Sequence, residues 1–384
     1  MTTPMKVGPM KVGIIGCGNI SGAYMRLAPL YRDIDVVACA DVSMDAAQAR
    51  ADEFGLRALS VDDLLASDDI DIVVNLTIPE AHYPVMKRIL ESGKHAYSEK
   101  PFVLAMSEAT ELAKLAKKNG LRIGSAPDTF LGGAHQQARA HVDSGAIGKI
   151  TSGSAMVMNH GMEHWHPNPD FFFQPGAGPM LDIGPYYVTA LVNILGPVKR
   201  VAALTTSASD TRVIKSEPRK GETLQVNTPT NIQAMFHFEN GATVSIITSW
   251  DVWAHRHENL ELYGTEGSLY IPDPNFFGGP VIAGGGDNTD METLPEWDHP
   301  FGKANETNGA GEPQANYRTA GLADMAAAIR ENRPHRCSLE LASHVIDVMT
   351  ATLKSGETGA FVTLDSTCTR PDPLTPDQAR ALMK

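Results

Sequence analysis

The sequence predicts a two-domain protein of the α/β plus α+β class. A doubly wound parallel sheet comes first, followed by a domain with a large, mainly antiparallel sheet covered by helices on one face. Three observations predict this. Short apolar runs alternate with amphipathic helical stretches from Val12 to about residue 124. From about Thr129 that alternation gives way to longer strands with few crossovers. The length of 384 residues suits two domains of ~100 to 200 residues each. The expected domains are residues 1–128 and 129–384.

Composition narrows the function. The chain is 42% hydrophobic and 20% charged, a balance that fits a soluble globular protein. A net charge of -13 argues against a nucleic-acid surface, which needs clustered Lys and Arg. No apolar run approaches the ~20 residues of a membrane-spanning helix, so no membrane partner is expected. The N-terminus also lacks the apolar region of a secretory signal. Cys17, Cys39, Cys337 and Cys368 show no CxxC spacing, so neither a zinc knuckle nor a disulfide framework is expected. Cytoplasmic residence is the plain reading. A near duplication, Met5-Lys6-Val7-Gly8 and Met10-Lys11-Val12-Gly13, opens the chain. Only the second copy leads into a strand, which leaves two expectations: a start at Met10 or a short frayed tail.

The first strand, Val12 to Ile15, ends in Gly16-Cys17-Gly18-Asn19-Ile20-Ser21, and a helical pattern runs from Gly22 to about Leu30. Strand, glycine turn and helix in that order form the context of a dinucleotide fingerprint, the Rossmann arrangement. The first glycine permits the tight turn, and the second lets backbone approach a pyrophosphate at the helix N-terminus. Ser21 stands where a third glycine is usual. The next strand, Asp35 to Ala40, ends at Asp41, positioned to bind ribose hydroxyls and repel a 2′-phosphate. No Arg or Lys follows until Arg50, so NAD is favoured over NADP, although Ser43 offers a phosphate acceptor. The competing reading of Asp41 is a helix N-cap.

Ile70 to Leu76 reads as a buried strand, Thr77-Ile78-Pro79-Glu80-Ala81-His82 as a loop, and Val85 to Glu91 as a helix ended by Gly93. His95 to Ser98 is the next strand, closing on Glu99-Lys100-Pro101. The glycine turn, Asp41, Thr77 to Pro79 and Lys100 all fall at carboxyl ends of strands, where ligands of open α/β sheets bind. Ser107 to Asn119 is an amphipathic helix, and Leu121 to Gly124 is a further strand leading out near Asp128.

Several of these stretches resemble the Gfo/Idh/MocA family, named for glucose-fructose oxidoreductase and inositol dehydrogenase. They are Gly16-x-Gly18-Asn19-Ile20, Asp41, Thr77-x-Pro79-x-x-His82, Gly93-Lys94-His95 and Glu99-Lys100-Pro101. The likeness continues in Gly145-x-Ile147-Gly148, Gly178-x-x-x-Asp182-x-Gly184 and Tyr263-Gly264-Thr265-Glu266-Gly267. The resemblance implies an NAD-dependent oxidoreductase acting on a CH–OH group of a sugar, glycoside or cyclitol. It implies cofactor contacts at Gly16, Gly18, Asn19, Ile20, Asp41 and Ser43. Further contacts are expected at Thr77, Ile78, Pro79, His82, Glu99 and Lys100. It also implies a homodimer or homotetramer built on the open face of the second sheet.

In the second half, Ile150 to Val157, Thr230 to Phe238, Ala242 to Trp250, Asn259 to Tyr263 and Ser268 to Ile271 read as strands. Asn240-Gly241 makes a hairpin turn. Pro272 to about Gly311 is rich in Gly, Pro, Asn and Asp and reads as irregular. Tyr317 to Glu331 and Leu339 to Lys354 show helical spacing, and Phe361 to Leu364 reads as extended.

The chemically richest segment is Asn159 to Pro167, followed by Asp170-Phe171-Phe172-Phe173. His164 and His166 around Trp165 suit a sugar pocket, with the indole stacking on C–H groups and the imidazoles bonding hydroxyls. The alternatives are a metal site at His164 and His166, disfavoured without HExxH or cysteine partners, and structural packing of the loop. No metal is expected. Asp128 joins Lys100, His164, Trp165, His166, Asp182 and Tyr186 as substrate-binding candidates.

Asp182 and Tyr186 lie four apart and share a face on a helical turn. The resemblance implies that Asp182 faces Lys100 across the nicotinamide. A histidine is common where this chain has Tyr186. Lys100, Asp182 and Tyr186 are therefore the expected catalytic residues. A tyrosine titrates near ~10, and a lysine cation beside it lowers that value. His164 and His166 are the reserve bases, and the Lys100–Pro101 bond is a candidate cis peptide. The competing functions are an NAD-dependent glycoside hydrolase working by transient oxidation and elimination, and a non-catalytic sugar-responsive regulator.

Overall fold

The computed structural model describes residues 8–286 and 288–384. Residues 5–7 of the first N-terminal copy lie outside the described residues. The chain divides into two compact units: Met1–Gly132 with Asp298–Ser343 and Pro371–Lys384, and Gly133–Trp297 with His344–Arg370. The sequence reading expected a single cut near residue 128, whereas the units interleave along the chain. The last boundary but one falls inside the helix Leu339–Thr358.

The first unit carries six strands: β1 (Met10–Ile15), β2 (Ile34–Ala40), β3 (Arg57–Leu59), β4 (Ile72–Asn75), β5 (His95–Ser98) and β6 (Ile123–Ser125). They lie in the order β3-β2-β1-β4-β5-β6 and pair in parallel throughout. The crossovers are α1 (Asn19–Leu27), α2 (Met44–Phe54), α3 (Val61–Ala66), α4 (Pro79–Glu91) and α5 (Met106–Asn119). Val12, Ile14, Ile72, Val73 and Val74 are fully buried, as parallel strands covered on both faces require.

Three local expectations change here. β3 and α3 were not anticipated, because three and six residues are too short to show a period. The helix expected from Val85 begins at Pro79, a favourable first helical residue, so His82 is helical rather than in a loop. The tail after Cys368 holds a helix, Pro376–Leu382, opened by a Thr375/Gln378 capping box. The Lys100–Pro101 bond is cis.

The second unit is built on a nine-stranded sheet. Its strands include β7 (Ile150–Met158) and β8 (Val198–Thr206). Between them and the next sheet strands, β9 (Thr211–Val213) and β10 (Thr223–Gln225) pair as a separate ribbon. The sheet continues with β11 (Asn231–Phe238), β12 (Thr243–Ser249), β13 (Leu260–Gly264), β14 (Gly267–Ile271), β15 (Ile282–Gly285) and β16 (Asn288–Thr293). The order is β16-β15-β14-β13-β7-β12-β11-β8, ending at Val362–Thr363, and only β7 with β12 is parallel.

The Asn240-Gly241 turn joins β11 to β12 as expected, with His237 opposite Thr243. Ile232, Ala234, Phe236 and Phe238 are buried while Gln233 and Met235 are exposed, the alternation of a sheet covered on one face. β8 was missed, and β15 and β16 lie inside the stretch read as irregular. Helices α6 (Gly133–Asp143), α7 (Pro179–Asp182) and α8 (Gly184–Leu195) complete the part described here.

Candidate active site

In the first unit the glycine turn is shaped by backbone contact. Gly16 has φ +103°, and a Cβ there would lie 2.6 Å from the Leu76 carbonyl group, so only glycine lets β1 exit beside β4. Gly18 precedes α1 and has nothing within 4 Å of its would-be Cβ. No side chain caps α1, which leaves its first-turn N–H groups for an anion. Ser21 is fully buried and donates its hydroxyl to the Gly18 carbonyl at 2.6 Å, so it fills the third-glycine position without leaving a polar group unpaired.

Asp41 sits just past β2. Its Oδ2 accepts the Cys17 N–H at 2.7 Å and its Oδ1 accepts the Ser43 N–H at 2.9 Å. The carboxylate thus ties the glycine turn to the start of α2. The helix N-cap is Ser43, whose hydroxyl accepts from Ala46, and not Asp41. Sequence reasoning gave Arg50 no role, yet its Nη2 donates to the Gly18 carbonyl at 3.3 Å. Its place seven residues after Ser43, two turns on along the same helical face, was the available signal.

At the end of β4, buried Asn75 accepts from both the Thr77 N–H and hydroxyl, and Ile78 is the residue before α4. His82 is buried with Nδ1 2.6 Å from the Pro101 carbonyl and Nε2 3.0 Å from the Thr77 carbonyl. Burial lowers its pKa against the pull of these two acceptors. This ring ties the Thr77 loop to the residue that follows Lys100. Glu99 accepts the Tyr24 hydroxyl at 3.0 Å and the Lys100 N–H at 2.8 Å, so the backbone at Lys100 is held on two sides.

The expected position of Asp128 on a substrate surface is corrected. Asp128 is 2% exposed, and its Oδ2 accepts the Gly321 N–H at 3.0 Å within the first unit. Burial raises its pKa to about 6. Its carboxyl is a packing group there.

In the second unit, Asp182 closes α7 and Tyr186 lies in the first turn of α8, with a break at Ile183. The Tyr186 N–H bonds to the Ile183 carbonyl at 3.1 Å, so the two residues are not on one continuous helix as their spacing suggested. Gly178 before α7 has φ +89°. Asp182 is half-buried and Tyr186 is buried.

The segment after β7 is anchored by Arg212, on β9. Its Nη1 donates to Glu163 Oε1 at 2.8 Å and to the His160 carbonyl at 3.3 Å, while its Nη2 bonds the Trp250 carbonyl and Asp251. Beneath lies an apolar cluster of Met162, Phe173, Ile214, Leu224 and Trp250. Phe173 is therefore structural, whereas Trp165 is 62% and Trp253 77% exposed. The Trp253 indole stacks on His160 at 3.3 Å between centroids. His166 accepts the Asn168 N–H on Nδ1. His164 and His166 are therefore not gathered as a pair of ligands, and the imidazole that joins His164 is His160, at 4.9 Å between centroids. Arg212, Glu163 and His160 were not singled out from the sequence as site residues.

Residues 10–126 match the family model described as the oxidoreductase family, NAD-binding Rossmann fold, and residues 135–270 match the GFO/IDH/MocA C-terminal domain. The dTDP-3,4-didehydro-2,6-dideoxy-alpha-D-glucose 3-reductase of Streptomyces violaceoruber is 28% identical over 342 residues, covering 85% of this chain and 93% of the reductase. The D-glucoside 3-dehydrogenase of Escherichia coli (strain K12) is 25% identical over 256 residues, covering 65% of this chain and 73% of that enzyme. Among solved structures, a levoglucosan dehydrogenase in complex with NADH and L-sorbose superposes with a TM-score of 0.80 at 20% identity, covering 94% of this chain and 100% of that one. The two matched models together span residues 10–126 and 135–270, and the chain belongs to the GFO/IDH/MocA family of NAD-binding oxidoreductases.

Proposed function

We propose that the protein transfers a hydride between a CH–OH group of a sugar, glycoside or cyclitol and NAD. The observation that carries the substrate class is the exposed aromatic and imidazole platform of the second unit, Trp165 and Trp253 with His160, His164 and His166. Indole faces suit the C–H surface of a sugar ring, and imidazoles suit its hydroxyls. The names of the reductase and the glucoside dehydrogenase above point to the same class.

When bound, NAD supplies the hydride acceptor. Gly16, Gly18 and the first turn of α1 cradle its pyrophosphate, and Asp41 takes the ribose hydroxyls with its remaining lone pairs. Lys100 polarises the substrate hydroxyl and lowers the cost of removing its proton. Asp182 and Tyr186 are the second unit's candidates for orienting the substrate and taking up its proton. The same reading puts the chain in the cytoplasm, where its four buried, free cysteines stay reduced. No helix among the described residues is long and apolar enough to cross a membrane. It also puts a homodimer or homotetramer contact on the open sheet face that exposes Leu204 and Met235.

The test is a panel of monosaccharides, glycosides and inositols offered with NAD and NADP in parallel, followed by absorbance of reduced nicotinamide. Turnover with NAD and at least one cyclic polyol is expected. Release of an aglycone without net NADH would replace this reading with oxidation-assisted elimination.

A further inference from the structure

His160, Glu163 and His164 stand on the turn that follows β7: His160 precedes Gly161, whose φ is +94°, and the other two lie in the 3-10 turn Met162–His164. One donor atom from each lies within 4.8 Å of the other two. Two atoms of this group are buried without a hydrogen-bond partner, Nδ1 of His160 and Oε2 of Glu163, and Glu163 is only 3% exposed. An unpaired buried carboxylate oxygen is costly unless a ligand meets it.

We propose that His160, Glu163 and His164 form a binding site for a divalent metal of the zinc class, with a fourth position open to water or a substrate oxygen.

Imidazole nitrogen and carboxylate oxygen are the donor set this metal class takes, and three protein ligands leave the coordination open. The surroundings supply the supporting contacts such ligands need. Arg212 holds Glu163 through Oε1, leaving Oε2 for the metal, and the Trp253 indole fixes the His160 ring plane. Arg212 itself is bracketed by Glu163 and Asp251, so two carboxylates against one guanidinium leave net negative charge beside the imidazoles. Tetrahedral zinc with bonds of about 2.0–2.2 Å holds its ligands ~3.4 Å apart. Donors within 4.8 Å of one another therefore have to close by at most roughly an ångström and a half on binding. The sequence signal was the spacing H-x-x-E-H, whose two histidines hold zinc when it lies on a helix. Here a glycine-led turn gathers the same three residues.

The experiment uses the full-length protein, freed of metal with EDTA and chelating resin, and titrated with Co2+ and then Zn2+. One Co2+ per chain is expected, with the visible bands of a four-coordinate ion that Zn2+ abolishes. Glu163→Gln and His164→Ala should each weaken binding at least tenfold, while His257→Ala, in the stacked ring pair His255/His257 outside the cluster, should leave it unchanged. His164→Ala is the deciding variant, because that side chain is 34% exposed and its loss spares the Arg212 contacts. Absence of bound metal and of the visible bands overturns the proposal. Undiminished binding in His164→Ala overturns it too. Neither readout requires substrate turnover, so failure here is separable from failure of the proposed activity.

Discussion

The Cys17 backbone N–H and the Asp41 carboxylate meet at 2.7 Å, joining the glycine turn after β1 to the end of β2. This bond gives Asp41 a structural duty, shaping the turn, beside the proposed one of repelling a 2′-phosphate.

Asp41→Ala therefore weakens NAD binding and relaxes cofactor choice. A hydrogen bond to a charged group is worth about 1.5–3 kcal/mol, so NAD affinity should fall by roughly tenfold or more. NADP affinity should fall less or rise. Dissociation constants for the two cofactors, measured side by side, check this; an unchanged ratio would refute the ribose assignment.

Lys100→Met should reduce kcat by about 10²–10⁴-fold, the range of a lost proton-transfer group, while NAD still binds. Pre-steady-state hydride transfer and NAD titration separate the two effects. A variant keeping most of its rate would remove Lys100 from the chemistry.

Gly16→Ala puts a methyl group against backbone rather than against a side chain that can move, at a φ of +103°. Strain and clash together should cost at least ~1–3 kcal/mol, seen as a lower thermal midpoint and lost NAD binding. Gly18→Ala, whose Cβ meets nothing within 4 Å, should fold normally and lose cofactor affinity alone.

Acid should destabilise the protein through its buried histidines. His95, His135, His299 and His344 are each lowered by burial to about 4. Three of them accept backbone N–H groups: His95 from Arg122, His299 from Phe301 and His344 from Val198. The neutral ring is therefore built in. Unfolded histidine titrates near ~6.5, so stability is whole above that pH and is lost as pH falls towards 4. Asp128, raised to about 6, acts in the opposite sense, since its protonation favours the folded state. Four groups outweigh one, and thermal midpoints should fall steadily from pH 7 to 4.5. A flat profile would contradict the neutral assignments, and His344→Gln should reduce the slope.

Much of the first unit was legible because its signals are local. Parallel strands place their carboxyl ends on one edge, so Gly16, Asp41, Thr77 and Lys100 could be assigned to that edge from strand periods alone. The Asn240-Gly241 turn fixed its hairpin register for the same reason. Short elements such as β3 and α3 carry too few residues to show a period, and Pro79 as a helix start was hidden inside a stretch that reads as a loop.

The sequence by itself determined the alternation of strands and helices, the glycine turn and the identity of the residues at the strand ends, because each depends on neighbours within one element. Only the tertiary structure decided which distant residues meet. It buried Asp128 under Gly321, returned residues 298–343 and 371–384 to the first unit, and brought Arg212 onto Glu163. No periodicity encodes such pairings, since they join segments separated by many residues and are fixed by packing and charge in the folded chain.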